Sequence, residues 1–217
     1  MRPSSNLARL QNSACRNLLR LRETTQNIMR STNNREIEAY LCHVTIEALN
    51  TWANFSRAYY LSCILDPRTA SGMRVSTTIN VNNSDQAIGL AIKRWNPKTS
   101  AKPGPGGSWN RRDEPPWHIP KVFMSICQNI GCSNQPDITA AFSAGFRVFD
   151  DLPVFRNFYA HRNEHTQRAA VRIATLYGIP ATLRPSQILL SRPLGRPQPL
   201  AIDWLDDLSF TIEYLCH

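Results

Sequence analysis

The chain has 217 residues, 42% of them hydrophobic, which is enough for one domain with a buried core. Its net charge of +9 comes mostly from arginine, because only four of the 25 basic residues are lysines. There is no apolar run of membrane-spanning length and no apolar segment of a secretory signal, so we expect a cytosolic protein without a membrane partner. An arginine-rich chain favours anionic partners such as nucleic acid, because the guanidinium group matches phosphate with two parallel hydrogen bonds.

The cysteines contain no C-x-x-C pair, and three of them lie in stretches with helical spacing. This pattern favours reduced intracellular thiols over a disulfide framework or a zinc knuckle. We therefore expect neither a metal ion nor another cofactor. The six positions are Cys15, Cys42, Cys63, Cys127, Cys132 and Cys216.

Two long amphipathic helices are predicted at the start of the chain. Residues 6–30 place leucines along one side, and residues 34–65 carry apolar side chains at helical spacing from Ile37 to Tyr59. The dipeptide Asp66-Pro67 ends the second helix, since the residue before a proline disfavours helical backbone.

An irregular insertion is predicted over residues 66–120. The run MRVSTTINVNNS alternates and is rich in β-branched residues, which predicts a short strand over residues 73–81. Residues 84–95 have the pattern of a short capped helix. Residues 96–120 hold six prolines and three glycines, which predicts a loop.

The second half of the chain is again predicted to be helical. Three helices follow the insertion, and a proline-rich segment then separates them from an amphipathic terminal helix. The predicted fold is therefore mainly α, a helical bundle that forms one domain over residues 1–217. The segments are 120–131, 134–149, 153–177, the proline-rich 178–200 and the terminal 200–215.

The stretch FRNFYAHRNEH, residues 155–165, gathers arginines, histidines and asparagines between aromatic residues. A helix turns about 100° per residue, so Asn157, His161 and His165 fall on one stripe of the predicted helix, with Arg156 beside it. A solvated face would account for the asparagines and arginines. It does not account for two histidines one turn apart with an arginine on either side.

A zinc site is one alternative, because HRNEH matches the H-x-x-E-H pattern of inverzincins. His161 and His165 would bind the ion, and Glu164 would be the general base. A third ligand would have to come from the terminal helix, and a chain of this size leaves little room for a protease cleft. We therefore rank a zinc hydrolase last. The acidic residues of that helix are Asp203, Asp206, Asp207 and Glu213.

Arg156-Asn157-x-x-x-His161 resembles the R-x(4–6)-H motif of the HEPN superfamily, in which a polar residue, often Asn, follows the arginine. The preceding DDLPVF and the helical, basic setting are also similar, and the resemblance covers roughly residues 34–65 and 121–177. It implies a HEPN-like helical bundle that acts as a metal-independent endoribonuclease in toxin or anti-phage defence. It also implies RNA as substrate, a homodimer whose two motifs face one cleft, and an antitoxin or defence-system protein as partner.

The resemblance assigns roles to the motif residues. His161 is the general acid or base, Arg156 stabilises charge in the transition state, and Asn157 orients the imidazole or binds phosphate. Weaker candidates for substrate binding, for which a solvated surface position is the alternative, are Arg162, His165 and Glu47.

One position departs from part of the family. HEPN toxins paired with a nucleotidyltransferase antitoxin usually carry Tyr two residues after the histidine, where this chain has Asn163, so silencing through that Tyr is not supported. The rival class is a non-catalytic HEPN adaptor that binds RNA or a protein. Such adaptors often lose the arginine or the histidine, and this chain retains both.

Overall fold

The structure is a computed structural model that describes residues 1–81 and 83–217. It is mainly α-helical, which confirms the predicted fold class. Within the described residues there is no β-sheet, and no helix is both long and apolar enough to cross a bilayer. The helices are α1 (Leu7–Ile28), α2 (Asn34–Cys63), α3 (Ser84–Trp95), α4 (Pro120–Asn129), α5 (Gln135–Ala141), α6 (Val148–His161), α7 (Glu164–Leu176), α8 (Pro185–Leu190) and α9 (Leu200–Cys216).

The chain divides into two compact units. The predicted site residues, including the whole stretch 155–165, belong to the second unit. The prediction of one domain over residues 1–217 stays a prediction. The first unit comprises Met1–Ala14, Trp52–Gly145 and Thr211–His217, and the second comprises Cys15–Thr51 and Phe146–Phe210.

A cluster of aromatic rings forms the centre of the first unit. Contacting pairs have ring centroids between 5.6 and 6.2 Å apart, several of them edge to face, which is the favoured geometry for such rings. The Tyr59 hydroxyl also accepts a hydrogen bond of 2.7 Å from Asn134 Nδ2. The five rings are Trp52, Phe55, Tyr59, Phe123 and Phe142.

The second unit has its own core, in which the motif helix α6 takes part. Phe155 of α6 is fully buried and meets Trp204 of α9 edge to face, with 5.3 Å between ring centroids. The spacing of the other buried residues is helical, as the sequence predicts for α1 and α2. They include Leu18, Leu21, Leu41, Val44, Ala170 and Ile173.

The thiols are distributed unequally between the two units. Cys15 and Cys42 are half-buried and lie in the second unit. The first unit holds the four buried thiols, and Cys63 and Cys127 both lie close to Cys132. These four are Cys63, Cys127, Cys132 and Cys216.

The insertion contains the predicted short helix and the predicted loop. Helix α3 begins after Asn83, whose side-chain oxygen accepts a hydrogen bond of 2.9 Å from the backbone N–H of Gln86. Residues 96–119 are irregular apart from one turn of 3-10 helix at Arg111–Asp113.

The predicted strand over residues 73–81 is wrong. Its one β contact is an isolated bridge at Arg74, and the other backbone groups bond singly to loops and helix ends. The N–H of Val75 donates to the carbonyl of Pro67 at 2.8 Å, and the N–H of Thr78 donates to the carbonyl of Ile130 at 2.9 Å. A strand needs a second extended segment beside it, and the described chain supplies none here.

The predicted helix over residues 134–149 ends early. Pro136 lies in its first turn, as the sequence predicts, but α5 ends at Ala141. The chain then turns through Gly145, which has a φ of 65° in the left-handed region that a glycine adopts readily. The last two residues of the predicted helix, Val148 and Phe149, belong to α6, so one predicted helix becomes parts of two.

Candidate functional site

Helix α6 separates its residues into a buried and an exposed arc. The buried arc includes Phe155 and Tyr159 of the motif stretch, which pack inward as expected. Toward the C-terminal end of α6 the exposed arc consists of Arg156, Asn157 and His161, with the small Ala160 between them, and Asp150 continues it in the first turn. At 100° per residue the four C-terminal positions span about 140° of the helix. The motif residues therefore lie together on one solvent-facing side of α6.

The three polar side chains of this arc are available to a ligand. In the part of the chain that the structure describes, Arg156, Asn157 and His161 make no side-chain hydrogen bond and no ion pair. Elsewhere in the unit guanidinium groups are engaged, as in the pair of Arg168 with Glu164 at 3.0 Å. A guanidinium, an amide and an imidazole together offer hydrogen-bond donors to an anion, and the imidazole can also accept a proton near neutral pH.

A buried polar network anchors the start of α6. The Asp151 carboxylate, only 4% exposed, accepts hydrogen bonds of 3.1 and 3.2 Å from Arg147 and one of 2.8 Å from the hydroxyl of Tyr177. The Tyr177 oxygen in turn accepts a bond of 3.0 Å from Trp204 Nε1. Burial raises the pKa of Tyr177 above its usual value, so the hydroxyl stays protonated and able to donate. The network fixes α6 near its N-terminus, while the motif lies near its C-terminus.

The predicted continuous helix over residues 153–177 is wrong, because the chain breaks directly after His161. Arg162 adopts φ 44° and ψ 40°, the left-handed conformation, and its N–H donates to the carbonyl of Phe158 at 2.7 Å. Asn163 then caps α7. Its side-chain oxygen accepts a hydrogen bond of 2.9 Å from the N–H of Thr166, and the Thr166 hydroxyl donates a hydrogen bond to the Asn163 carbonyl. His161 is therefore the last residue of its helix.

The break separates residues that the sequence places on one stripe. Asn157 and His161 remain one turn apart on α6, but Glu164 and His165 begin α7. The two histidines of HRNEH are consequently not neighbours on one helix, which is the geometry that the H-x-x-E-H pattern needs. The structure brings no three potential ligands from His, Cys, Asp and Glu into a metal-binding group within residues 1–81 and 83–217.

The weaker candidates are placed differently from one another. Glu47 is half-buried on α2 and accepts a hydrogen bond of 3.2 Å from Asn50 Nδ2. In the described chain, no hydrogen bond or ion pair joins Glu47 to the motif. His165 is exposed in the first turn of α7. Arg162 is exposed, and its guanidinium carbon lies 5.9 Å from the centroid of the Tyr159 ring. Of the three, Arg162 remains closest along the chain to the exposed arc of α6.

Sequence reasoning missed two arginines of the same unit. Arg35, at the start of α2, and Arg184, directly before α8, line one cavity with Arg162. The Arg184-Pro185 step marks a helix start, since proline is favoured at the first helical position. No local signal links positions so far apart in the chain, and only the fold brings them together.

Comparison of the chain with protein-family models, with curated proteins and with solved structures found no match.

Proposed function

We propose that the protein is an endoribonuclease that cleaves single-stranded RNA without a metal ion, through attack of the 2′-hydroxyl on the adjacent phosphate. The supporting observation is the exposed arc of α6, where Arg156, Asn157 and His161 have no partner within the described residues. The HEPN-like spacing of the arginine and histidine adds to it. The same resemblance suggests a toxin or an anti-phage defence nuclease.

The chemistry needs two proton transfers and one charge stabiliser. The 2′-hydroxyl loses a proton as its oxygen bonds to phosphorus, and the 5′-oxygen gains a proton as its bond to phosphorus breaks. An imidazole can accept or donate such a proton, and His161 takes this role. Negative charge grows on the non-bridging oxygens meanwhile, and the Arg156 guanidinium stabilises it with charge-assisted hydrogen bonds. The products are a 2′,3′-cyclic phosphate and a 5′-hydroxyl.

One imidazole is poorly suited to both proton transfers in a single step. A homodimer in which the exposed arcs of two α6 helices face each other supplies two copies of His161 and Arg156. One histidine then acts as base and the other as acid. A two-fold axis is the commonest symmetry of soluble oligomers, and it places identical residues opposite one another.

The test compares the wild type with His161→Ala on one fluorescent RNA, in the presence of a chelator. The exposed His43 of the same unit provides a matched control, His43→Ala. We expect wild type and control to cleave and His161→Ala to lose about 10²–10⁴-fold or more in rate. A DNA of the same sequence should survive, and mass spectrometry should find cyclic phosphate ends. Equal cleavage by all three proteins would exclude His161, and RNA binding without cleavage would favour the non-catalytic adaptor.

A further inference from the structure

A cavity of about 370 Å³ lies in the second unit at the start of α2 and beside the residue that follows His161. Three arginines from distant parts of the chain line it, with a single acidic residue. Formal charges leave this lining at +2, so the cavity is suited to an anion. The lining residues are Asn34, Arg35, Glu38, Ala39, Arg162 and Arg184.

Within the described residues, the three guanidinium groups of this cavity have no hydrogen-bonded or ion-paired partner, and the one contact is that of Arg162 with the Tyr159 ring. In the described chain, the side chains of Arg35, Arg162 and Arg184 form neither a hydrogen bond to an acceptor nor an ion pair, although Glu38 lines the same cavity. Each guanidinium has five N–H donors in a planar fork that matches phosphate oxygens. Unpaired arginines around one concave site are the arrangement that phosphate recognition uses.

A buried donor without a partner lies next to the cavity. The Tyr159 hydroxyl is buried, its residue is 4% exposed, and it has no hydrogen-bond acceptor in the described part of the chain. Burial raises the pKa of Tyr159, the nearby Glu38 raises it further and Arg162 lowers it, so the hydroxyl stays protonated. Buried polar groups normally find partners, so this hydroxyl is a polar group near Glu38 and Arg162 that the described chain leaves unsatisfied.

The backbone at Arg162 is itself unusual. A left-handed conformation is sterically unfavourable for an L-residue other than glycine, and arginine has no special preference for it. The turn directs the chain away from α6 directly after His161 and makes Arg162 a lining residue of the cavity. Strained backbone of this kind concentrates at functional sites.

An adjoining cavity supplies a place for more than a phosphate. It has a volume of about 330 Å³ and shares Asn34, Glu38 and Arg184 with the first. Ile37 and Leu190 give it an apolar part. A phosphate held by the arginines would therefore have space beside it for an attached nucleoside, whereas a free inorganic ion would use only the first cavity.

We propose that the arginine-lined cavity binds a backbone phosphate of single-stranded RNA that flanks the phosphate at His161. This subsite rests on the proposed ribonuclease function for its ligand, and it deepens that function by assigning Arg35, Arg162 and Arg184 to substrate positioning. The RNA strand passes from the exposed arc of α6 over Arg162 into the cavity.

The test measures RNA binding in a protein that does not cleave. The parent is His161→Ala, the cavity variant adds Arg35→Gln and Arg184→Gln, and the control variant adds Arg172→Gln and Arg192→Gln instead. Both pairs of arginines are exposed in the second unit, and each double substitution removes two positive charges. Fluorescence anisotropy then gives the slope of log K against log salt for a labelled 12-nucleotide RNA. Loss of one phosphate contact should reduce the magnitude of this slope by about 0.7 in the cavity variant. The control variant should keep the slope of the parent.

A second measurement locates the phosphate. RNAs with one neutral methylphosphonate at each position in turn are bound to the parent and to the cavity variant. At one position other than the cleaved phosphate, the methylphosphonate should weaken binding to the parent. The same substitution should have no further effect on binding to the cavity variant. Equal slopes in the cavity and control variants, or the same methylphosphonate effects in parent and cavity variant, would overturn the subsite.

The cleavage assay keeps the two proposals separate. If the methylphosphonate effect at the flanking position is absent in the cavity variant and the wild type does not cleave RNA, the subsite is retained and the ribonuclease is rejected. Cleavage by wild type with an unchanged slope in the cavity variant would reject the subsite and retain the ribonuclease.

Discussion

The hydroxyl of Tyr177 donates a hydrogen bond of 2.8 Å to Asp151 Oδ2, and this bond joins the end of α7 to the first turns of α6. The Tyr177 oxygen also accepts from the buried indole N–H of Trp204. The helix that carries the motif is thus held through a residue 26 positions away in the chain.

We expect Tyr177→Phe to lower the free energy of unfolding by about 1–3 kcal/mol, because Asp151 loses one donor and the Trp204 N–H is left without its acceptor. Urea titration followed by circular dichroism measures the change. Tyr40→Phe is the control, since Tyr40 is 41% exposed on α2 in the same unit. Equal effects of the two substitutions on the free energy of unfolding would show that the buried network does not stabilise the fold.

Arg162→Gly should be more stable than Arg162→Ala by about 1 kcal/mol, because glycine adopts the left-handed conformation at no steric cost. Both variants lose the guanidinium near Tyr159, so their difference isolates the backbone term. The same pair at Arg172, inside α7, should give the opposite sign, since glycine disfavours a helix interior. Urea titration of the four proteins checks the prediction, which fails if both positions favour alanine.

Arg156→Ala should lower the cleavage rate by about 10²-fold or more while RNA affinity falls much less, because the guanidinium acts on charge that develops in the transition state. Arg156→Lys should recover only part of the rate, since an ammonium lacks the planar fork. Single-turnover kinetics and anisotropy on the same RNA separate the two quantities. Arg172→Ala is the matched control, and an equal loss there would indicate a general effect of charge.

The dimer is tested by a cysteine placed in the middle of the exposed arc. If two α6 helices face each other across a two-fold axis, Ala160→Cys should form a symmetric disulfide-linked dimer under mild oxidation. Mass spectrometry after digestion would identify the linked peptide. Arg172→Cys, exposed on α7, controls for random collisions. A protein that stays monomeric by light scattering and still cleaves RNA would contradict the two-copy site.

Asp207 should make stability depend on pH. Burial raises its pKa to about 6, Arg196 opposes this rise, and Asp203 and Asp206 add to it. The pKa in the folded protein thus lies above the unfolded value, so the carboxylate destabilises the fold above about pH 6, and this cost disappears as pH falls toward the unfolded pKa. Asp207→Asn should therefore be more stable than wild type at pH 7.5, with a difference that shrinks toward pH 4.

Urea titrations at several pH values measure the Asp207 effect. The exposed Glu23 of the same unit gives the control Glu23→Gln, which removes one carboxylate without altering Asp207. A difference between wild type and Asp207→Asn that is constant with pH would contradict the raised pKa.

The sequence predicts the long helices well because each buries one face at a regular period. Helix α1 was expected over residues 6–30 and spans Leu7–Ile28, and α3 matches its expected bounds because Asn83 provides a clear cap. The break at Arg162 was missed because arginine does not mark a left-handed turn, although residues 161–168 hold no apolar side chain and so interrupt the helical pattern. The cap formed by Asn163 and Thr166 was a second signal that could have located it.

The candidate site was predictable only in its local part. Arg156, Asn157 and His161 come from one helix turn and the next, so their common exposure follows from periodicity. Arg35, Arg162 and Arg184 meet through the fold of the second unit, and spacing along the chain carries no information on that. The strand predicted over residues 73–81 failed for the same reason, because strand formation depends on a distant partner.

The unequal distribution of cysteines gives the first unit a chemical reporter of opening and the second unit a reporter of surface access. Alkylation of Cys63 or Cys127 requires the first unit to open, whereas Cys15 and Cys42 are half-buried in the second unit, which carries the motif. Local opening of a protein often needs far less free energy than global unfolding. Labelling rates read by mass spectrometry on the unmodified chain therefore measure opening of the first unit at Cys63 and Cys127, and added RNA should slow only the labelling of Cys15 and Cys42.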